Sequence, residues 1–191
     1  MKRILFVHTK KIISIKGGFG MKCSKKFLWV WCLCCAFLVT IASNAMADWG
    51  SKELETEKTA VNFTKEVMKG GYKVVSTEEL KGWIDSKKDM LIIDTMPYED
   101  SYKKQHIPGA VQFEFPKEEV ANLDDKTKAA FQKMLGSNKD RLIVIYCGFT
   151  KCGRSHNGAM WATKMGYKNV YRYPGGIKAW GEADYPVEKA K

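Results

Sequence analysis

Two kinds of hydrophobic pattern alternate along residues 48–191. The first is the short apolar run. Arg141-Leu142-Ile143-Val144-Ile145-Tyr146 has no polar face, as expected of a central strand covered on both sides. Met90–Asp94 is shorter and closes on a carboxylate, and Asn169–Tyr173 is a further strand. Val111–Phe115 alternates apolar and polar positions, the period of a half-buried strand. The second pattern is helical. Leu54, Val61, Val67 and Met68 stand apart among charges in residues 48–72, and Gly70-Gly71 stops them. Ser76-Thr77-Glu78-Glu79 is a capping box ahead of Leu80, Trp83 and Ile84. Lys126–Leu135 reads as a helix between Asp125 and Gly136, and Ser155–Met165 as one stopped by Gly166. A short helix with Ile177, Ala179 and Trp180 follows Gly175-Gly176. Glu99–Gln105 is a polar helical stretch leading to a turn at His106–Ala110. Strands alternating with helices predict an α/β domain with a mainly parallel sheet.

Ahead of this domain the pattern changes. Lys22, Lys25 and Lys26 precede an apolar run, Phe27–Ala42, and then Ser43-Asn44-Ala45-Met46-Ala47. Basic start, apolar middle and small-residue ending are the parts of a secretory signal, with cleavage expected after Ala47 and a periplasmic or secreted product. The alternative is an uncleaved anchor, because the uncharged stretch Phe27–Ala47 is 21 residues long and that length spans a bilayer. Only through this segment does the sequence suggest a membrane. No small residue directly precedes Cys32, Cys34 or Cys35, which argues against a lipoprotein. Residues 1–20 fit a signal poorly, and the expected translation start is Met21. The alternative is a long basic leader.

Composition sharpens this division. The 191 residues are 45% hydrophobic and 28% charged, a globular balance. The net charge of +11 suggests nucleic acid, but residues 1–47 hold eight basic residues and no acidic one, leaving +3 beyond them. A basic leader therefore explains the charge, and no nucleic-acid partner is expected. Of six cysteines only Cys147 and Cys152 follow residue 47. Two are too few for a disulfide-built scaffold.

Those two cysteines stand where chemistry is expected. A buried strand runs into Cys147, a glycine-containing loop follows, and then a helix begins. Amides of such a loop and of the first helical turn converge on an anion site. The same field favours thiolate over thiol, and the thiolate is the nucleophile. Lys151 and Arg154 add positive charge.

At these residues the chain resembles the rhodanese family of sulfurtransferases, over most of residues 73–190. The resemblance runs in order through Val75–Leu80, the strand ending at Asp94, and Tyr102 with His106-Ile107-Pro108-Gly109-Ala110. It continues through Tyr146-Cys147, Arg154-Ser155, Gly166–Tyr171, Gly175-Gly176-Ile177 and Ala179-Trp180. It implies a five-stranded parallel sheet flanked by helices, over residues 73–191. It also implies a persulfide on Cys147, loop contacts from Gly148, Phe149, Thr150, Lys151, Cys152, Gly153 and Arg154, and transfer from a small anionic sulfur donor to a thiol acceptor. Two departures stand out. Six residues separate Cys147 from Arg154 where the family usually has four, and Met96 stands where many members carry arginine. Related phosphatases and arsenate reductases also use enlarged loops. A second reading is therefore arsenate or phosphate-ester chemistry, and a third is a thiol switch or sulfur carrier using both cysteines.

Other residues have narrower readings. Cys152 resolves a Cys147 persulfide as a disulfide, holds a polysulfide chain, or is a bystander; a curled loop brings α-carbons within the ~4.4–6.8 Å a disulfide needs. Arg154 binds substrate or ties the loop to the body. His156 tunes Cys147, or is a capping or surface histidine. Asp94 fixes neighbouring turns, His106 packs a turn, and Trp180 is core. Cys147, Cys152 and His156 lack a fourth ligand for structural zinc. No phosphate-loop or dinucleotide fingerprint occurs, and no organic cofactor is expected.

Overall fold

A computed structural model describes residues 52–190 of the chain. The expectations for the leader — start at Met21, signal segment, cleavage after Ala47 — fall outside the described residues. Among the described residues no helix is long and apolar enough to cross a membrane.

Helix α1 (Glu53–Gly70) comes first, where scattered apolar residues between charges predicted it. Gly71 closes it in the left-handed conformation, its amide returning to the Val67 carbonyl at 3.0 Å. Strand β1 (Lys73–Val74) leads to α2 (Thr77–Asp85). The capping box is present: Ser76 Oγ accepts from the Glu79 amide, and the Glu79 carboxylate accepts from the Ser76 amide. Strand β2 (Leu91–Asp94), a five-residue π-helical turn (Tyr98–Tyr102) and strand β3 (Val111–Gln112) follow. Then come α3 (Asp125–Leu135), β4 (Leu142–Tyr146), α4 (Gly153–Lys164), β5 (Asn169–Tyr173) and α5 (Gly176–Glu182).

The five strands form one sheet in the order β1-β5-β4-β2-β3, every pair parallel. Strand β4 sits at the centre and is buried on both faces, as its unbroken apolar run requires. Ile143 and Ile145 join Ile93, Phe115, Phe131, Leu135 and Met160 on one face. Val144 and Tyr146 join Leu80, Ile92, Tyr173, Ile177 and Trp180 on the other. Each β4 side chain therefore has an apolar neighbour above or below the sheet, and the strand cannot slip by one residue without exchanging its two cores.

The register brings Asp94, Tyr146 and Tyr173 level at the carboxyl end of the sheet. The chain leaves β2 toward the β3 edge and leaves β4 toward β5. The crevice between the ends of β2 and β4 is thus a topological switch point, the usual ligand position in an open α/β sheet. Cys147 is the next residue after β4.

Two sequence expectations change in detail, and one strand was not foreseen. Strand β3 is two residues long rather than reaching Phe115, because Phe113 and Phe115 turn into the aromatic cluster with Phe131. The polar stretch Glu99–Gln105 forms a wide turn over Tyr98–Tyr102, with the Tyr102 amide reaching back to the Pro97 carbonyl at 3.1 Å. Strand β1, a two-residue exposed edge, is too short to show a period.

Gly176 fixes how α5 meets the cysteine loop. Its φ is +60°, and a Cβ there would lie 2.2 Å from the Cys147 carbonyl oxygen. The neighbouring amides of Ile177 and Lys178 cap the Cys147 and Gly148 carbonyls at 3.0 and 3.1 Å. Gly176→Ala combines a disfavoured backbone with a collision against main chain, and is expected to destabilise the fold by at least about 2 kcal/mol. A lowered urea midpoint with an unchanged slope is the expected result.

Candidate active site

The loop between β4 and α4 is held from both ends. Thr95 donates to the Tyr146 carbonyl from its amide (2.9 Å) and its hydroxyl (2.7 Å), locking the end of β4 to β2. At the far end α4 begins at Gly153, with Cys152 as its N-cap. Gly153 and Arg154, expected in the loop, are therefore its first helical residues. A Cβ on Gly153 would lie 2.2 Å from the Lys117 carbonyl oxygen, so only glycine fits against the passing 116–118 segment.

Both cysteines are free thiols, and their surroundings differ. Cys147 is 1% exposed, its sulfur 3.3 Å from the Cys152 carbonyl, 3.8 Å from the Phe149 carbonyl and 3.2 Å from Ser155 Oγ. Two of these neighbours accept hydrogen bonds. Burial, together with the bond shared with Cys152, pushes the Cys147 thiol well above its ordinary pKa. Cys152 is 8% exposed. Its side chain makes no capping bond to α4, and the Cys147 thiol and the backbone amides of Arg154 and Gly148 are the donors that act on it. These donors favour its thiolate and draw its pKa down to about 6.

Beneath the loop lies a residue the sequence argument did not single out. Arg172, on β5, is fully buried. Its Nε donates to Ser155 Oγ at 3.0 Å, and Nη2 donates to the carbonyls of Thr150 (3.2 Å) and Cys152 (3.1 Å). Nη1 donates to Tyr72 Oη at 3.1 Å and to the carboxylate of Glu66, from α1. The ring of Phe63 covers the guanidinium at 5.0 Å. Because Arg172 occupies Ser155 Oγ as acceptor, the serine hydroxyl is free to donate to Cys147. The available signal was an arginine inside an otherwise apolar strand, which must find a charge partner if buried.

The remaining candidates are placed as follows. Lys151 pairs with Glu55 of α1 at 2.5 Å and is half exposed. Arg154 bonds Glu114 at 3.2 Å and the Phe115 carbonyl, tying α4 to the β3 exit. Neither cation contacts a cysteine sulfur. Gly148 packs against Met96, Thr150 supplies its carbonyl to Arg172, and Phe149 is 45% exposed at the rim. His156 is neither a surface nor a capping residue. It is buried, its Nδ1 2.8 Å from Tyr72 Oη, and burial lowers its pKa. Asp94 Oδ1 accepts from the Met96 amide at 2.9 Å, as expected of a turn-fixing carboxylate, and burial raises its pKa to about 6. His106 stacks on Tyr102 at 4.0 Å in the turn. Trp180 is core, its Nε1 bonded to the Pro186 carbonyl. Among the described residues no group of three or more His, Cys, Asp or Glu is arranged to hold a metal.

Comparison with known proteins agrees with this geometry. The Rhodanese-like domain family matches residues 76–183. The chain belongs to the rhodanese-like family. Thiosulfate sulfurtransferase GlpE of Coxiella burnetii is 27% identical over 121 residues, covering 62% of this chain and 95% of that protein. Among solved structures, a thiosulfate sulfurtransferase from Pseudomonas aeruginosa superposes with a TM-score of 0.53 at 16% identity, over 70% of this chain and 23% of that one. This chain thus corresponds to about a quarter of the Pseudomonas protein. A Rhodopseudomonas palustris protein of unknown function, described as a possible tyrosine phosphatase, superposes at 0.50 with 19% identity, over 66% and 93%. At these identities the solved structures bear on the fold alone. Helix α1, with Glu66 and Glu55, lies outside the segment matched to the family.

Two outcomes follow from the geometry. Glu66→Ala leaves the Arg172 charge without its carboxylate. Because Glu66 is one-third exposed, the loss is expected at about 2–3 kcal/mol, below that for a fully buried pair; thermal and urea unfolding measure it. Iodoacetamide is expected to label Cys152 before Cys147, at a rate that falls as pH drops through about 6. Peptide mapping of the alkylated chain across pH 4–9 distinguishes the two thiols.

Proposed function

We propose that this chain is an exported sulfurtransferase. It takes a sulfane sulfur from a small anionic donor of the thiosulfate or polysulfide kind onto the Cys147–Cys152 loop as a persulfide, and delivers it to a thiophilic acceptor. The observation that carries this is the pair of free, facing thiols at the carboxyl end of the central parallel strand, inside the segment matched to the family. The name of the Coxiella relative supports thiosulfate as a donor. The basic–apolar–small N-terminal pattern supports export to the periplasm or beyond.

The chemistry needs a thiolate, an electrophilic sulfur and somewhere for charge to go. The loop thiolate attacks the outer sulfur of the donor, and the sulfur–sulfur bond of the donor breaks. With thiosulfate the leaving group is sulfite. Negative charge on the persulfide lies near the amides of Gly148 and Arg154 at the start of α4. Arg172 holds the carbonyls of Thr150 and Cys152, so the loop keeps its shape as charge moves. No cofactor enters this scheme.

Family position nominates Cys147 as the carrier, and the second free thiol, Cys152, lies in the same loop. The test therefore removes both. Cys147→Ser/Cys152→Ser is expected to lower sulfite release from thiosulfate in the presence of a thiol by at least about 10³-fold, with an unchanged circular dichroism spectrum. Turnover at wild-type rate in the folded double variant would remove the proposal. Phosphomonoester hydrolysis measured on the wild type is expected at background, because the carbonyls of Phe149 and Cys152 point at the Cys147 sulfur where a phosphatase loop needs donors.

A further inference from the structure

Two groups against the Cys147 sulfur are held from behind by one guanidinium. The Ser155 hydroxyl, 3.2 Å from the sulfur, accepts from Arg172 Nε at 3.0 Å. The Cys152 carbonyl, 3.3 Å from the sulfur, accepts from Arg172 Nη2 at 3.1 Å. All five N–H groups of Arg172 have an acceptor, which fixes the plane of the fork. Its Nη1 edge faces the Glu66 carboxylate and Tyr72 Oη, and this leaves Nε and Nη2 toward the loop. Glu66 is the charged acceptor of the five, and it stands on α1, ahead of the segment matched to the family. Resting on the sulfane transfer proposed above, with Cys147 as the carrier, we propose that Glu66 and Arg172 are positioning residues of the reaction. The α1 carboxylate orients the guanidinium, and the guanidinium aims the Ser155 hydroxyl at the Cys147 sulfur.

The direction of the serine proton follows from its neighbours. Arg172 Nε fills one lone pair of Ser155 Oγ, and the hydroxyl keeps its own proton for the Cys147 sulfur. Burial and Cys152 raise the Cys147 pKa, and the Ser155 hydroxyl and amide oppose them. A hydrogen bond to an ionised group is stronger than one to a neutral group, so the Ser155 contact strengthens whenever Cys147 carries charge. That happens twice in one cycle. The Cys147 thiolate first bonds to the outer sulfur of thiosulfate, the sulfur–sulfur bond of the donor breaks, and sulfite leaves with the bonding pair. In the return step an acceptor thiolate bonds to the outer sulfur of the persulfide. The persulfide bond breaks, and its electron pair returns to the Cys147 sulfur, which faces Ser155 again.

Other contacts hold Arg172 in this pose. Tyr72 Oη accepts from Nη1 and so presents its own proton to His156 Nδ1 at 2.8 Å. The Phe63 ring of α1 covers the guanidinium at 5.0 Å. These neighbours are neutral or apolar and do not balance the charge of Arg172. Loss of Glu66 turns an oriented fork into a buried cation without a counter-charge, and its hold on Ser155 slackens.

A double-mutant cycle on sulfite release separates this role from a merely structural one. The full chain is reduced, freed of reductant without oxygen and mixed with excess thiosulfate. Sulfite is read in a single turnover, and circular dichroism reports the fold. Ser155→Ala and Glu66→Ala are each expected to slow release by about 10-fold. The double variant is expected within about twofold of Ser155→Ala alone, because the Glu66 effect reaches the sulfur through that hydroxyl. Glu66→Gln keeps a weaker, uncharged acceptor for Nη1. It is expected to slow release at least about 3-fold, and it carries the test should Glu66→Ala not fold. Wild-type rates in folded Glu66→Ala or Glu66→Gln would overturn the proposal and leave sulfurtransfer intact. So would losses that multiply in the double variant, the mark of two independent effects. A folded wild type that takes up no sulfur from thiosulfate or inorganic polysulfide would overturn the sulfurtransferase reading and this one together.

Discussion

One buried guanidinium organises this site. Arg172 sits on a strand beside the central one with no access to water, and its three nitrogens have five acceptors among them. A buried charge is tolerated only with such a set. Two acceptors are main-chain carbonyls of the cysteine loop, one is Ser155, one is Tyr72, and one is the carboxylate that α1 supplies. The loop after β4 therefore takes its shape from a charge lying beneath it. The Cys152 carbonyl, held by Arg172, also lies against the Cys147 sulfur, beside the Ser155 hydroxyl.

The two thiols have different surroundings. A loop with its amides inward would favour the anion on the strand-end residue. Here the Ser155 hydroxyl and amide act on Cys147, and the amides of Arg154 and Gly148 act on Cys152, which opens α4. Six residues lie between Cys147 and Arg154, and the chain curls within them. The helix then starts early enough that Arg154 swings to Glu114 and Phe115.

Helix α1 adds a contribution of its own. It lies outside the segment that matches the family, yet it brings Glu66 to Arg172, Phe63 to the guanidinium face and Glu55 to Lys151. A cleft of about 290 Å³ remains between it and the loop, lined by Glu55, Thr59, Phe63, Glu66, Thr150 and Lys151. Removing this helix would leave Arg172 uncompensated, so the segment ahead of the domain belongs to its site.

The strand and helix sequence of this protein was largely legible along the chain, and the reason is local. An unbroken apolar run such as Leu142–Tyr146 has one stable solution, a strand covered on both faces. A capping box such as Ser76–Glu79 satisfies amides within four residues of itself. Position also marked Cys147 and its loop. What the chain pattern did not reveal depends on contacts between distant residues. Arg172 meets Glu66 across 106 positions and Tyr72 across 100. Strand β1 exists because β5 offers it an edge. What surrounds each thiol is decided by the direction of amides and carbonyls in space. Residue types at a given spacing do not encode that direction; a buried charge and the start of a helix do.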